Sequence, residues 1–278
     1  MSTVTISAQE INKLRQATGA GMMDCRKALT ETNGDFEAAI DWLRKQGQKV
    51  AAKRSDREAK EGVVIALTNS TNTTGYVVCI SCETDFVSKN ADFVAFAQSI
   101  ADAAVSADVK SAEALNEVEI AGAKVSDLIN DKLASIGEKI GVSKFERVDA
   151  PYVASYIHGA NRMGVLVGLS KASAEVGKDV AMQIAAMNPV AIDAASVPAD
   201  VVAREKDIIL DLMKQDPKMA GKPEEMVSKI AEGKLNAFFK EQTLLAQAFV
   251  KDASKTVGEY LKSSNDVQVT EFKRVALG

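Results

Sequence analysis

Histidine and cysteine are scarce in this sequence of 278 residues, which contains one histidine and three cysteines. So few residues of these types cannot supply a disulfide framework or the Cys and His ligands of a structural zinc site. Cys79 and Cys82 do form a C-x-x-C pair. They lie in a β-like run, however, where residues three apart point to opposite faces of the strand. We therefore expect no metal site, no redox pair and no bound cofactor.

Catalytic signatures and long apolar runs are also missing. The sequence has no G-x-S-x-G motif and no P-loop, and one histidine leaves little material for a nucleophile–base pair. We expect a protein that is not an enzyme. No apolar run approaches the ~20 residues of a membrane span. Residues 1–5 show no basic segment followed by an apolar core, so the sequence indicates a cytoplasmic protein without membrane association.

The charge balance argues against direct contact with nucleic acid. The chain has 34 Lys and Arg against 38 Asp and Glu, for a formal net charge of −4. Phosphate backbones are normally held by a concentrated basic surface. The densest basic stretch, residues 49–60, is interrupted by Asp56 and Glu58. We therefore expect no direct nucleic-acid binding.

Residues 1–48 are predicted to form a small domain of three short helices. Apolar residues recur there at helical spacing, namely Ile11 and Leu14; Met22, Cys25, Ala28 and Leu29; and Phe36, Ala39, Ile40 and Leu43. Asp35 is a natural N-cap for the third helix. Met23 lies off the apolar stripe, so it is either a tolerated surface residue or an exposed contact for a partner. Residues 49–61 are charged and lack an apolar stripe, which indicates a solvated linker, helical or not.

The remaining sequence resembles two copies of one unit, residues 62–149 and 150–278. Each copy has two strands joined by a turn, then an amphipathic helix, then a late third strand. This order predicts an α+β fold with two related antiparallel sheets. I-G-E-K-I at residues 136–140 precedes the third strand of the first copy, and V-G-E-Y-L at residues 257–261 precedes that of the second. We therefore match these two segments.

Two insertions distinguish the copies. The first copy is five residues longer between its second strand and its helix, and the extra residues fall at 84–90. An added loop in one copy of a repeat is a reason to suspect function there. The second copy carries an insertion at about 201–239, with two helical patterns around a turn that contains Pro and Gly,. It predicts an antiparallel helical hairpin, which either projects from the sheet or packs flat on the core.

Two interpretations of Phe86, at the first insertion, are open from the residues alone. Phe86 is either the first core residue beneath the following helix, with Asp85 or Asn90 as a turn or cap residue, or an exposed functional residue,. An aromatic side chain usually lies in the core. A loop between a strand and a helix, in contrast, is a frequent place for function.

Four sequence blocks extend over nearly the whole chain. They are T-G-A-G-M-M-D-C-R-K-A-L at residues 18–29, E-T-D-F-V-S-K-N at 83–90, H-G-A-N-R-M-G-V-L-V at 158–167 and S-K-T-V-G at 254–258. In this order they resemble the signatures of bacterial elongation factor Ts, the guanine-nucleotide exchange factor for elongation factor Tu. The resemblance implies that the three-helix domain is ubiquitin-associated-like and that the inserted hairpin is a coiled-coil protrusion.

The resemblance also implies a mechanism. The partner would be elongation factor Tu, in its GDP-bound and nucleotide-free forms. Phe86 would insert into the partner's nucleotide domain, with Asp85 contacting the same region and Thr84 and Val87 holding the shape of the loop. Mg²⁺ would then be dislodged, and GDP would leave. The alternative is an adaptor that docks a partner without changing nucleotide release.

Further partner contacts follow from the same resemblance. Met22, Met23 and Arg26 would contact the nucleotide domain of elongation factor Tu. His158 would face a different domain of the partner, unless it serves only as a hydrogen-bonding residue of its turn. Val250 is a further candidate, although its neighbour Lys251 departs from the pattern of several relatives.

Overall fold

The fold consists of helices and antiparallel strands, as a computed structural model of the chain describes for residues 6–54, 56–217 and 222–277. The helices are α1 Ala8–Thr18, α2 Met22–Glu31, α3 Phe36–Arg54, α4 Asp85–Ser88, α5 Ala91–Ser106, α6 Ala112–Asn116, α7 Val125–Ile136, α8 Ala174–Met187, α9 Ala199–Gln215, α10 Glu224–Gln242 and α11 Val257–Ser263. The strands are β1 Glu61–Thr68, β2 Thr74–Cys82, β3 Glu119–Ile120, β4 Ala123–Lys124, β5 Gly141–Asp149, β6 Tyr152–His158, β7 Met163–Leu169, β8 Ala248–Phe249, β9 Asp252–Thr256 and β10 Val269–Ala276. The predicted α+β class is confirmed.

Helices α1 to α3 form the N-terminal helical domain. A capping box between Ser7 and Glu10 begins α1, and the Asp35 side chain accepts a hydrogen bond from the Ala38 amide at 3.0 Å, which caps α3,. The shared core consists of Leu14, Ala20, Cys25, Ala28, Leu29, Ala39 and Leu43. Met22 does not belong to it, since 55% of this residue is exposed. The prediction that Met22 lies on the apolar stripe is wrong.

Helix α3 connects the N-terminal helical domain to the rest of the chain. It runs without a break from Phe36 through Arg54, so residues 49–54 of the predicted linker are helical. It packs along α7, where Arg44 pairs with Asp131 at 3.6 Å. The N-terminal helical domain is therefore seated against the first sheet unit as well as joined to it.

Two antiparallel sheets form the rest of the core. The first has the strand order β1-β2-β5 and the second the order β10-β7-β6, so each late third strand pairs as the repeat predicts. Helix α5 covers the outer face of the first sheet through Phe93, Ala97 and Ile100. Helix α8 covers that of the second through Val180 and Ile184. In each copy, the apolar face of the helix thus packs on one face of the sheet, as the helical and strand periodicities predict.

The inner faces of the two sheets pack on each other. Their shared core contains Val64, Ala66, Val77, Cys79, Val148, Val153, Leu166 and Val275. The sheets approach so closely that a β-carbon on Gly75 would lie 2.6 Å from Cγ1 of Val153. Cys79 faces this interface, whereas Cys82 faces the core beneath α5, which confirms the predicted opposite orientation of the two cysteines.

Helices α9 and α10 form the inserted helical hairpin. They pack mainly against each other, and the turn at residues 218–221 lies outside the described residues. At the base of the hairpin, the Val190 amide donates to the Gln242 carbonyl at 2.8 Å, and the Leu244 amide donates to Ala191 at 2.9 Å. The hairpin therefore projects, and its two ends are held side by side. Among the described helices, none combines the length and apolarity needed to cross a membrane.

Candidate functional site

The stretch between β2 and α5 carries the most exposed aromatic side chain of the described chain. Phe86 is 86% exposed, although it lies between a fully buried strand and a helix with a buried face. Its neighbour Val87 turns inward and packs against the core of the first sheet. The interpretation of Phe86 as the first core residue is therefore wrong. We call residues 83–90 the Phe86 turn.

The Phe86 turn is held from outside by Glu138. Oε2 of Glu138 accepts hydrogen bonds from the amides of Glu83 and Thr84, each at 3.0 Å. Oε1 accepts from the Thr84 hydroxyl at 2.6 Å. Glu138 follows the left-handed C-cap Gly137 that ends α7. One carboxylate thus fixes two consecutive backbone positions at the start of the turn.

Glu83, within the Phe86 turn, in turn binds the segment that carries Glu138. Oε1 of Glu83 accepts a hydrogen bond from the Lys139 amide at 2.7 Å, and Oε2 pairs with Arg57 at 3.0 Å. The Lys139 ammonium in turn donates to the Arg57 carbonyl at 2.9 Å. These reciprocal bonds join three segments that are distant in sequence. Sequence reasoning identified neither Glu83 nor Glu138 as part of the site.

The matching of I-G-E-K-I with V-G-E-Y-L between the two copies is corrected by the structure. Glu138 lies beyond the C-terminus of α7. Glu259 lies in the first turn of α11, where it forms a capping box with Thr256. The two glutamates therefore have different positions relative to their helices, and their carboxylates hold different structures.

Asp85 is exposed beside Phe86 and carries an ion pair within the turn. Its Oδ2 lies 2.6 Å from Nζ of Lys89, and 46% of the side chain is exposed. The hydrogen bond from Lys89 lowers the pKa of the Asp85 carboxyl, and the positive charge acts in the same direction. At neutral pH the turn therefore presents a carboxylate next to an aromatic ring.

A second exposed group lies on the outer face of α2. Met23 is 71% exposed and Met22 is 55% exposed, and Arg26 is exposed on the same helix. Cys25, Ala28 and Leu29 on the opposite face are buried. The face of α2 thus places two flexible thioethers and a guanidinium in solvent, a combination common at adaptable interfaces.

His158 and Val250 lie on separate turns of the second sheet unit. The exposed His158 ends β6, and its Nδ1 lies 3.0 Å from the Tyr156 hydroxyl. Val250 is 47% exposed at the turn between β8 and β9, and its amide donates to the buried side chain of Gln183 at 2.8 Å. The contact of His158 joins two residues of β6 and does not involve the residues of the following turn.

The structure groups some of the predicted residues and separates others. Residues 84–87 lie together in the Phe86 turn, and the α2 group lies on the N-terminal helical domain. His158 and Val250 are on different turns of the second copy. Within residues 6–54, 56–217 and 222–277, no cluster of three or more His, Cys, Asp or Glu side chains could hold a metal ion.

Comparison with known proteins identifies the family. A family model described as "Elongation factor TS" matches residues 83–278, which is more than half of the chain. The chain belongs to the elongation factor Ts family. The match begins at Glu83, the first residue of the Phe86 turn.

Relatives named "Elongation factor Ts" match over nearly their full length. The protein of Christiangramia forsetii is 47% identical, with 98% of this chain and 99% of the relative covered. That of Flavobacterium psychrophilum is 46% identical, with 99% of each covered. That of Methylococcus capsulatus is 43% identical, with 99% of this chain and 93% of the relative covered. The similarity to translation elongation factors Ts therefore extends over both sheet units and the N-terminal helical domain.

Proposed function

We propose that this protein is a guanine-nucleotide exchange factor that binds elongation factor Tu with GDP and accelerates the release of GDP. The observation that carries the proposal is the 86% exposure of Phe86. A phenylalanine side chain contributes about 1.5–3 kcal/mol when it is fully buried. Since the fold of this protein uses little of that energy, it remains available for insertion into a partner.

The proposed mechanism acts on the Mg²⁺ ion of the partner. Mg²⁺ requires near-ideal octahedral geometry and few protein ligands, so a small displacement of its surroundings weakens its binding. Phe86 enters the nucleotide domain, and Asp85 contacts the same region. Thr84 and Val87 hold the turn in shape, the first through Glu138 and the second through the core. Without the ion, the charge of the diphosphate is less compensated, and GDP leaves faster.

Binding of nucleotide and of this protein must then oppose each other. If this protein weakens the binding of GDP and Mg²⁺, the nucleotide with Mg²⁺ weakens the binding of this protein by the same factor. Entry of GTP therefore releases it. No covalent bond is made or broken by this protein, so the role is not that of an enzyme.

The other exposed groups supply docking contacts in this proposal. Met22, Met23 and Arg26 contact the nucleotide domain, while His158 and Val250 face other parts of the partner. Residues 1–48 and 62–149 act together on the nucleotide domain through the connection at 49–61. Residues 150–278 act elsewhere on the partner, in the cytoplasm and without direct contact to nucleic acid.

The test is a measurement of nucleotide release. Purified elongation factor Tu is loaded with fluorescent GDP, mixed with this protein and an excess of unlabelled GDP, and followed by stopped flow. We expect release to accelerate with the concentration of this protein and to reach a plateau. Formation of a complex, seen by gel filtration, together with an unchanged release rate would contradict exchange and support the adaptor.

A further inference from the structure

We infer that Glu138 is a positioning residue for Phe86: it fixes the direction in which the Phe86 turn presents the aromatic ring. The inference rests on the proposed function. Glu138 itself does not contact the partner in the proposed complex. It acts through Glu83 and Thr84: its carboxylate accepts hydrogen bonds from both backbone amides and from the Thr84 hydroxyl.

The Thr84 side chain shows that the start of the turn depends on Glu138. Thr84 is the N-cap of α4, yet its side chain makes no capping hydrogen bond within that helix. Its hydroxyl donates to Glu138 instead. At the N-cap of α11, in contrast, the Thr256 side chain accepts from the Glu259 amide and caps its own helix. The Thr84 hydroxyl thus binds a distant carboxylate, which also accepts from the two amides that precede α4.

The exposure of Phe86 makes this support necessary. A side chain that is 86% exposed receives almost no orientation from neighbouring side chains, so its direction is set by the backbone that carries it. Helix α4 spans only Asp85–Ser88, too short to be stable by its own hydrogen bonds. A turn that fluctuates would have to be ordered on binding, at a cost in free energy and in the fraction of productive encounters.

The bonds are also reciprocal, which makes the support rigid. Glu138 holds the backbone of Glu83, and the Glu83 carboxylate holds the Lys139 amide at 2.7 Å. Movement of either segment therefore breaks bonds in both directions. The acceptor is a carboxylate in both cases, that of Glu138 and that of Glu83. The bonds are therefore charge-assisted and stronger than bonds between neutral groups.

Four variants test the inference in the nucleotide-release assay. Glu138→Ala removes both acceptor oxygens and with them all three hydrogen bonds, and Thr84→Val removes the hydroxyl bond alone. Glu138→Gln keeps an acceptor oxygen for the two amides, and its amide group can donate to the Thr84 hydroxyl. Glu259→Ala is the matched control, because it removes a carboxylate that also accepts from a threonine amide and hydroxyl, away from the turn.

We expect Glu138→Ala to lower the maximal release rate about tenfold. The concentration that gives half-maximal release should change by less than about threefold, because the contacts on α2 and the second sheet unit remain. Thr84→Val should show an intermediate rate, and Glu138→Gln should recover to within about threefold of wild type. Glu259→Ala should keep the wild-type rate. A wild-type maximal rate in a folded Glu138→Ala protein overturns the inference.

Amide hydrogen exchange of the free protein gives a second readout that does not require the partner. The amides of Glu83 and Thr84 should lose protection in Glu138→Ala and keep it in Glu138→Gln. Unchanged protection of both amides in Glu138→Ala overturns the inference even if the release rate falls. If wild-type protein fails to accelerate release at all, the proposed function fails instead, and the two failures are distinct.

Discussion

Gly47 of α3 and Ala134 of α7 lie in direct contact: a β-carbon added to Gly47 would be 2.9 Å from that of Ala134. Real β-carbons essentially never approach so closely. The missing side chain at Gly47 therefore lets the two helices meet backbone to backbone. This contact seats the N-terminal helical domain, with its exposed α2 face, against the helix that leads into Glu138.

The first prediction concerns this helix contact. In an open helix position, Gly→Ala stabilises by about 1 kcal/mol, and Gly233 of α10, with nothing within 4 Å, should behave in this way. Gly47→Ala should instead lower the free energy of unfolding by about 1–3 kcal/mol through overpacking. It should therefore be less stable than Gly233→Ala. Urea unfolding followed by circular dichroism and by the fluorescence of Trp42, the single tryptophan, measures both.

The control for Gly47 is a compensating pair. Gly47→Ala combined with Ala134→Gly leaves the total helix propensity unchanged and restores the space between the helices. Its stability should return to within about 0.5 kcal/mol of wild type. A double variant as unstable as the sum of the two single changes would show that the helices do not meet at these residues.

The second prediction separates the fold of this protein from its use of Phe86. Phe86→Ala should change the free energy of unfolding by less than about 0.5 kcal/mol, because the ring is in solvent. Phe93→Ala, seven residues along the chain, should cost about 3–5 kcal/mol, since Phe93 is 1% exposed. Denaturant melts of the two variants make the comparison. Loss of stability in Phe86→Ala similar to that in Phe93→Ala would contradict the proposed insertion of Phe86 into a partner.

The third prediction is the magnesium dependence of the Phe86→Ala defect. GDP release should be slower than with wild type when Mg²⁺ is present. The defect should shrink once the ion is chelated, because the variant lacks chiefly the step that dislodges it. Asp85→Ala should show a milder form of the same pattern. Stopped-flow release with and without chelator decides this, and an equal defect in both conditions would refute an effect on the ion.

The fourth prediction concerns the thiol beneath the Phe86 turn. Burial raises the pKa of Cys82 to about 12, and the nearby carboxylates of Glu138 and Glu61 act in the same direction. Because the thiolate is the reactive form, the native thiol should resist iodoacetamide at about pH 8, near the pKa of a free cysteine. Mass spectrometry should find alkylation of all three cysteines only in urea. Rapid alkylation of Cys82 in the folded protein would contradict its burial.

The fifth prediction concerns acid stability at the edge of the first sheet. Arg147 binds Asp149 through two hydrogen bonds of 2.9 and 3.0 Å, and the hydrogen bond to Arg147 lowers the pKa of Asp149. A depressed carboxyl pKa stabilises the fold above the unfolded value of about 3.9 and ceases to do so as pH falls through the folded value. Asp149→Asn should therefore be less stable at neutral pH.

The pH dependence provides the check. The difference in melting temperature between wild type and Asp149→Asn should shrink as pH falls from about 4 through the lowered pKa of the folded protein, where Asp149 becomes protonated. Asp200, in the first turn of α9, is a suitable control, since Asp200→Asn removes a carboxylate on the projecting hairpin. A constant difference for Asp149→Asn from neutral to acid pH would exclude the ion pair as its cause.

The sheets and their covering helices could be predicted because burial imposes a regular spacing. Phe93, Ala97 and Ile100 recur at helical intervals, and all are buried on the first sheet. Met22 has the same spacing relative to Cys25, yet it is exposed. It is the first residue of α2, where the helix extends past a small core. Periodicity specifies a face of a helix but does not specify how far the core extends along it.

The support of the Phe86 turn could not be predicted for a different reason. Glu138 reaches Thr84 across 54 residues, and it binds mostly backbone amides, which every residue except proline possesses. Such a partner leaves no pattern in the sequence. The exposed Phe86, in contrast, could be suspected from an added loop in one copy of a repeat. The sequence thus indicated Phe86 as a functional residue but did not indicate that Glu138 holds the Phe86 turn.

The helical hairpin has a practical consequence that follows from its base. Val190 and Gln242 are joined by a backbone hydrogen bond of 2.8 Å. The two segments that lead into and out of the helical hairpin are therefore adjacent. Helices α9 and α10 can therefore be shortened by whole turns, or exchanged for a fluorescent reporter, without stretching the second sheet. The hairpin offers a handle for tethering single molecules, on the half of the protein that does not carry Phe86.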